Sequence, residues 1–243
     1  MNHNIPPSGL DMLWDQTDPP EPKQGLSVSH IVRTAVELAD ADGLDAVSMA
    51  KIAERLGFTA MSLYRHVKSK DDLLLLMLDW VAAVPPELSE RHGDWRAGLR
   101  SWCQAQWELL RAHPWIVHIP ITGPPVTPNQ LTWTDRALGM LGETHLSERD
   151  KVGVVLLLAS YLHTTARFTA ERGPTGPAAR VPYSTLLGDL VEAERFPALR
   201  AAVDAGAFDY ASSKDKAERE FDYTFGLARI LDGVEVLIAQ RSP

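Results

Sequence analysis

The stretch Leu38–Leu74, LADADGLDAVSMAKIAERLGFTAMSLYRHVKSKDDLL, decides the fold. Gly43 stops a helix that starts near Ser27 or Ser29 and whose inner face is Ile31, Ala35, Leu38 and Ala39. Ser48 then caps a short helix with Met49, Ile52, Ala53 and Leu56 on its apolar face. Gly57 ends that helix, supplying the left-handed backbone that a sharp helix–helix turn requires. Thr59 caps a third, very short helix that reaches about His66. Ser69 caps a fourth, with Asp71 and Asp72 in its first turn, where carboxylates oppose the positive end of the helix dipole. Three short helices with a glycine turn between the second and third predict a helix-turn-helix.

The chemistry follows from that geometry. With Leu63 and Val67 turned inward, the third helix exposes Ala60, Met61, Ser62, Tyr64, Arg65 and His66. Its N-terminus fits the major groove, which is wide enough for one helix. Small residues at Ala60 and Ser62 let the backbone approach base edges closely. Ser62 can bond several bases, and Met61 or Ala60 can pack on a thymine methyl. Arg65 can grip guanine or a phosphate, while Tyr64, His66, Lys68 and Lys70 form a polar, partly cationic flank. The helix start at Ser48–Lys51 offers free backbone N–H groups to a further phosphate.

Working outward, residues 1–25 hold five prolines and four acidic residues without a helical or strand period, and are expected to be a mobile arm. Residues 26–70 form the candidate DNA-binding domain, completed by the start of a helix over 71–84, and residues 71–243 a larger helical domain. That remainder shows a period near 3.6 and no alternating strand pattern, so the chain reads as all-α. Helices are expected over about 94–113, 128–141, 147–172, 184–194 and 214–239, with a proline-broken stretch after His113 and a loop at 173–182.

Composition bounds the function. The chain has 243 residues and a formal net charge of −8, which taken globally argues against phosphate binding. The charge is uneven, however: −4 over residues 1–22, +2 over 23–70 and −6 over 71–243. A small basic block sits inside an acidic protein. The single cysteine, Cys103, excludes an intramolecular disulfide and suits a reducing cytoplasm. The longest apolar run, Val154–Ala159, is six residues, too short to span a bilayer, so no membrane partner is expected. His113, His118, His145 and His163 lack a tight ligand spacing, so neither metal nor cofactor is expected.

The run Leu38–Leu74 resembles the N-terminal domain of the tetracycline-repressor (TetR) family. The matching marks are the Gly43 break, the segments Ala53–Gly57 and Ser62–Lys70, and the acidic-then-leucine start of the next helix. The remainder is similar to the tetracycline-repressor-like C-terminal branch in Trp95–Trp102, His113–Trp115 and Gly123–Leu131. The resemblance implies that Tyr64, His66 and Lys70 contact the DNA backbone and that Ala60–Ser62 read bases. Arg65 departs from the tetracycline repressor, which has an aromatic residue there. The resemblance also implies a homodimer on a palindromic operator and a small-molecule effector. It implies further that the helix with Val152, Val155, Leu156 and Ala159 and the helix with Phe221, Phe225, Ala228 and Leu231 pair with their mates in a four-helix interface.

Trp95, Leu99, Trp102, Gln106 and Leu109 fall on one helical face, and Gln106 is polar among apolar neighbours. Trp102, Gln106, Trp133 and Tyr161 are therefore expected to line an effector pocket, with ordinary core packing as the competing explanation. Two other functions remain open here: a helical protein-interaction module without DNA binding, and an enzyme. The enzyme has the weaker case, since neither a nucleophile elbow nor a phosphate-binding glycine loop nor H-E-x-x-H is present.

Overall fold

The structure is a computed structural model that describes residues 9–14, 25–83, 93–120, 123, 125–172, 183–209 and 221–242. Its described residues are helical, with short turns and two 3-10 segments. The chain divides into two compact units, residues 1–156 and 157–243, so the expected boundary between residues 70 and 71 lies inside the first unit.

The first unit begins with α1 (Gly9–Trp14). These residues were expected in a mobile arm, yet they form a helical turn tied to the fold. Leu13 packs on the core of the helix-turn-helix and the Trp14 indole N–H donates to the Val126 carbonyl at 3.1 Å. One aromatic with a polar handle and one leucine are enough to dock a segment whose composition reads as disordered. The helix-turn-helix follows as α2 (Val28–Asp42), α3 (Met49–Leu56) and α4 (Ala60–Leu63), closed by α5 (Lys70–Val81).

Each start is capped as the sequence predicts. The hydroxyls of Ser27, Ser48, Thr59 and Ser69 accept from the backbone N–H three residues on, at 3.0–3.3 Å. Gly57 sits at φ 76°, ψ 27°, and the Phe58 N–H returns to the Ala53 carbonyl at 2.9 Å, so the turn is closed by left-handed backbone. Ile31, Ala35, Ile52, Leu63, Val67 and Met77 are fully buried in the shared core.

The rest of the first unit is α6 (Trp95–Ala112), a 3-10 turn Pro114–His118, α7 (Pro128–Met140) and the first part of α8 (Glu148–Arg172). Trp115, in the 3-10 turn, inserts into the helix-turn-helix core. The second unit holds the rest of α8 with α9 (Tyr183–Leu190), α10 (Pro197–Asp204) and α11 (Phe221–Arg241). Pro197 opens α10 at the first helical position, where its missing N–H costs nothing. The sequence reading anticipates no helix there. The expected loop at 173–182 and helix start at 214 lie outside the described residues.

Within the second unit, α8 and α11 touch through Tyr161 and Gly226. The Tyr161 hydroxyl donates to the carbonyls of Asp222 and, at 3.2 Å, Tyr223. A Cβ at position 226 would fall 2.7 Å from Cε2 of the Tyr161 ring. Gly226→Ala is therefore expected to lower the stability of the protein by about 1–3 kcal/mol, less the small gain in helix propensity. Combining it with Tyr161→Ala should remove most of the added cost. Thermal unfolding of the single and double variants measures this, and strict additivity would show that the two residues do not meet.

The helix α8 is also the one among the described residues that is long and apolar enough to cross a membrane: 24 residues, Glu148–Glu171, at mean hydropathy 1.2. The six-residue run in the sequence misses this because Ser160, Thr164 and Thr165 interrupt the apolar positions without making the helix polar. Length and composition do not by themselves separate a spanning helix from a core helix.

Candidate nucleic-acid interface

Leu63 and Val67 are fully buried and anchor α4 on the core. Around that anchor, Lys51, Thr59, Met61, Tyr64, Arg65 and Lys70 are exposed, while Ala60, Ser62 and His66 are half-buried. All come from the α3–turn–α4–α5 segment, so the tight turn at Gly57 carries their placement. The predicted helix through His66 is shorter: α4 closes at Leu63, and turn hydrogen bonds carry the chain to Val67. Ser48 is exposed, and its oxygen is occupied as a cap by the Lys51 N–H at 3.3 Å, which leaves its O–H available to an acceptor. Thr59 caps Ser62 in the same way, and their two hydroxyls meet at 2.9 Å. Ala60 is half-buried and packs in part on the core.

Two polar clusters that the sequence expectations do not include hold this head to the remainder of the first unit. Asp40 on α2 receives the Trp115 indole N–H at 2.7 Å and lies 2.7 Å from Nδ1 of His113, both on the same carboxylate oxygen. Asp79, 4% exposed near the end of α5, accepts from the Asn129 backbone N–H at 2.9 Å and from its amide at 2.8 Å. The Asn129 amide also donates to the Asp79 carbonyl at 3.1 Å. Asp79 thus caps α7 across the tertiary structure, where Thr127 makes no cap of its own. A signal existed: Asp79 is the one charged residue between Leu73 and Val84.

The expected effector residues fall as follows. Trp102 and Trp133 are buried edge to face, ring centroids 6.4 Å apart. Their indole N–H groups are used internally, Trp102 on the Trp133 carbonyl at 2.9 Å and Trp133 on the Ala82 carbonyl at 3.0 Å. Gln106 is half-buried one turn beyond Trp102. Tyr161 belongs to the second unit, where burial raises its phenol above the usual range and its hydroxyl is committed to α11. Cys103 is buried and its thiol pushed up to about 12 by desolvation, so it stays protonated and inert. Among the described residues, no group of three or more His, Cys, Asp or Glu is gathered to hold a metal.

Of the expected interface residues, Val152, Leu156, Ala159, Phe221 and Phe225 are exposed, and Ala228 is half-buried. Val155 and Leu231 are buried within the subunit, which removes them from any contact surface. On α8 the inward face is Val154, Val155, Leu158 and Leu162; a helix apolar around most of its circumference does not say from sequence which face points in. Leu157, Phe168 and Val236 are exposed apolar residues that the sequence reading missed.

Comparison with known proteins agrees with the fold. The family profile described as bacterial regulatory proteins, tetR family, matches residues 31–77, and that of the tetracyclin repressor-like C-terminal domain matches residues 86–238. The HTH-type transcriptional repressor DrrR1 of Streptomyces coeruleorubidus is 34% identical over 96% of this chain and 86% of its own length. The tetracycline repressor protein class A from transposon 1721 of Escherichia coli is 28% identical, covering 86% of this chain and 90% of its own. Among solved structures, ActR of Streptomyces coelicolor in complex with actinorhodin superposes with a TM-score of 0.72 at 26% identity, over 86% of this chain and 94% of that one.

Proposed function

The chain belongs to the tetR family of bacterial regulatory proteins, and from that premise we propose that it is a cytoplasmic repressor of transcription, not an enzyme, that binds a palindromic operator as a homodimer. A small-molecule effector releases it. The observation that carries the reading is the exposed row of Met61, Tyr64, Arg65 and Lys70 around a fully buried Leu63 and Val67. Ala60, Met61 and Ser62 lie over base edges. Tyr64, His66 and Lys70, with Thr59 and the start of α3 at Ser48 and Lys51, meet the phosphates. Arg65 takes a base or a phosphate.

Relatives named as repressors support the sign of regulation. The complex of ActR with actinorhodin supports a small-molecule effector. Trp102, Gln106 and Trp133 are the residues proposed to meet it, with Tyr161 holding α8 to α11. Dimerisation is supported by apolar residues left exposed on each of two helices, Val152, Leu156 and Ala159 on α8 and Phe221 and Phe225 on α11. These exposed residues also account for the apolarity of α8 without a membrane. Half-sites would lie about 34–36 Å apart.

The test is binding to DNA from the neighbourhood of its own gene, with and without Arg65→Glu and Lys70→Glu together. Both side chains are exposed, so folding should be preserved. The double variant is expected to bind at least about tenfold more weakly, since two phosphate- or base-facing cations become anions. Equal binding by both proteins would refute the site. Because the acidic remainder of the chain repels phosphates, affinity should also fall only modestly with salt. A slope equivalent to about ten released counterions per dimer would contradict that.

A further inference from the structure

The outer row of α4 is apolar at one point. Successive helical residues are about 100° apart, so Met61 points about 200° away from Leu63, to the outside of α4. Leu63 is fully buried, and Met61 is 71% exposed, more than any other exposed large hydrophobic among the described residues. Ala60 packs on the core, and Ser62 is hydrogen-bonded to Thr59 at 2.9 Å. Met61 is therefore the side chain of this turn that is both long and unengaged by the fold.

We propose that Met61 reads the C5 methyl group of a pyrimidine in the major groove, one in each half-site. Specificity at that base pair is then for a methyl group and not for a hydrogen-bond pattern. This rests on the operator-binding reading above. The thymine methyl is the apolar feature that the major groove displays, and a thioether is too weak an acceptor to compete for base-edge donors. An unbranched, polarisable side chain conforms to a small methyl surface. Burying Met61 there removes from water an apolar group that the free head leaves in it. A 5-methylcytosine presents the same methyl at the same ring position, so the ligand class is a 5-methylpyrimidine.

The experiment starts from binding sites selected from random DNA by the full chain. Each thymine of the selected operator is replaced singly by deoxyuridine, which removes the methyl and leaves the pairing edge intact. Affinities are read by fluorescence anisotropy for the protein and for Met61→Ala and Met61→Leu. One thymine per half-site should be sensitive. Its replacement should weaken binding by about fourfold, the equivalent of one methyl group leaving an apolar contact, and by about fifteenfold when both half-sites carry it. Met61→Ala should bind thymine and uracil equally at that position, and Met61→Leu should keep part of the preference. Replacing the pair by 5-methylcytosine·guanine should be tolerated better than cytosine·guanine. Enrichment of an operator indifferent to uracil, or unchanged discrimination in Met61→Ala, would overturn the inference alone. A selection that enriches no sequence would overturn the regulator reading, and this inference with it.

Discussion

Trp115→Ala is expected to lower the unfolding free energy by about 3–5 kcal/mol, the range for removing a fully buried tryptophan. Trp115 lies in the 3-10 turn after α6, yet it is 2% exposed among Ile31, Leu38 and Met77 in the core of the helix-turn-helix. Truncation leaves a void where the ring fills space between the head and the rest of the first unit. It also takes the indole N–H away from Asp40, whose carboxylate keeps only His113 on that oxygen. Trp115→Phe separates the two contributions. It retains most of the ring and loses the charge-assisted hydrogen bond, about 1.5–3 kcal/mol where solvent does not replace it, and less here because Asp40 is partly exposed. For a chain of this size the alanine variant should melt about 10 °C lower. A shift below about 3 °C would show that the ring does not belong to the core of the head.

Asp79→Ala is expected to cost about 2–4 kcal/mol, although it removes only a carboxylate. The loss leaves the Asn129 backbone N–H without its acceptor and its side-chain amide with only the Asp79 carbonyl. It also removes a negative charge from the start of α7, where the helix dipole favours one. Asp79→Asn keeps an acceptor oxygen and should cost about half as much, because the bond to a neutral group is weaker. The ordering alanine, then asparagine, then the natural residue is the outcome that denaturant titration would read. Equal stability of all three would mean that water satisfies Asn129 instead.

These two residues mark where sequence reading stops. The caps at Ser27, Ser48, Thr59 and Ser69 and the glycine stops at 43 and 57 are local signals, so the helix-turn-helix is legible residue by residue. The same holds for the exposure of Tyr64 and Arg65, which follows from the placement of Leu63 and Val67 on a short helix. Trp115 reads as part of a tryptophan-rich stretch beside a proline-broken segment. Its partner Asp40 is 75 residues away in the chain, and no periodicity spans such a separation. The Trp102–Trp133 pair is found by counting aromatics. Its use of both indole N–H groups on backbone carbonyls is not, because those carbonyls become available only where α5 and α7 end or meet other helices.

The sequence by itself determined the all-helical class, the position of the reading helix and the side chains that face away from its core, because capping, turn chemistry and the 3.6 period act within a few residues. Only the tertiary structure decided which side of a helix apolar all round is the inside, as Val155 and Leu231 show against Leu156 and Phe225. It also brought Asp79 to the start of α7, docked Leu13 and Trp14 from an acidic, proline-rich segment, and left Met61 exposed while Ala60 packed on the core. The reason is the same in each case. Burial and long-range hydrogen bonding are properties of what comes to lie against a residue, and that partner is chosen by the packing of the whole unit.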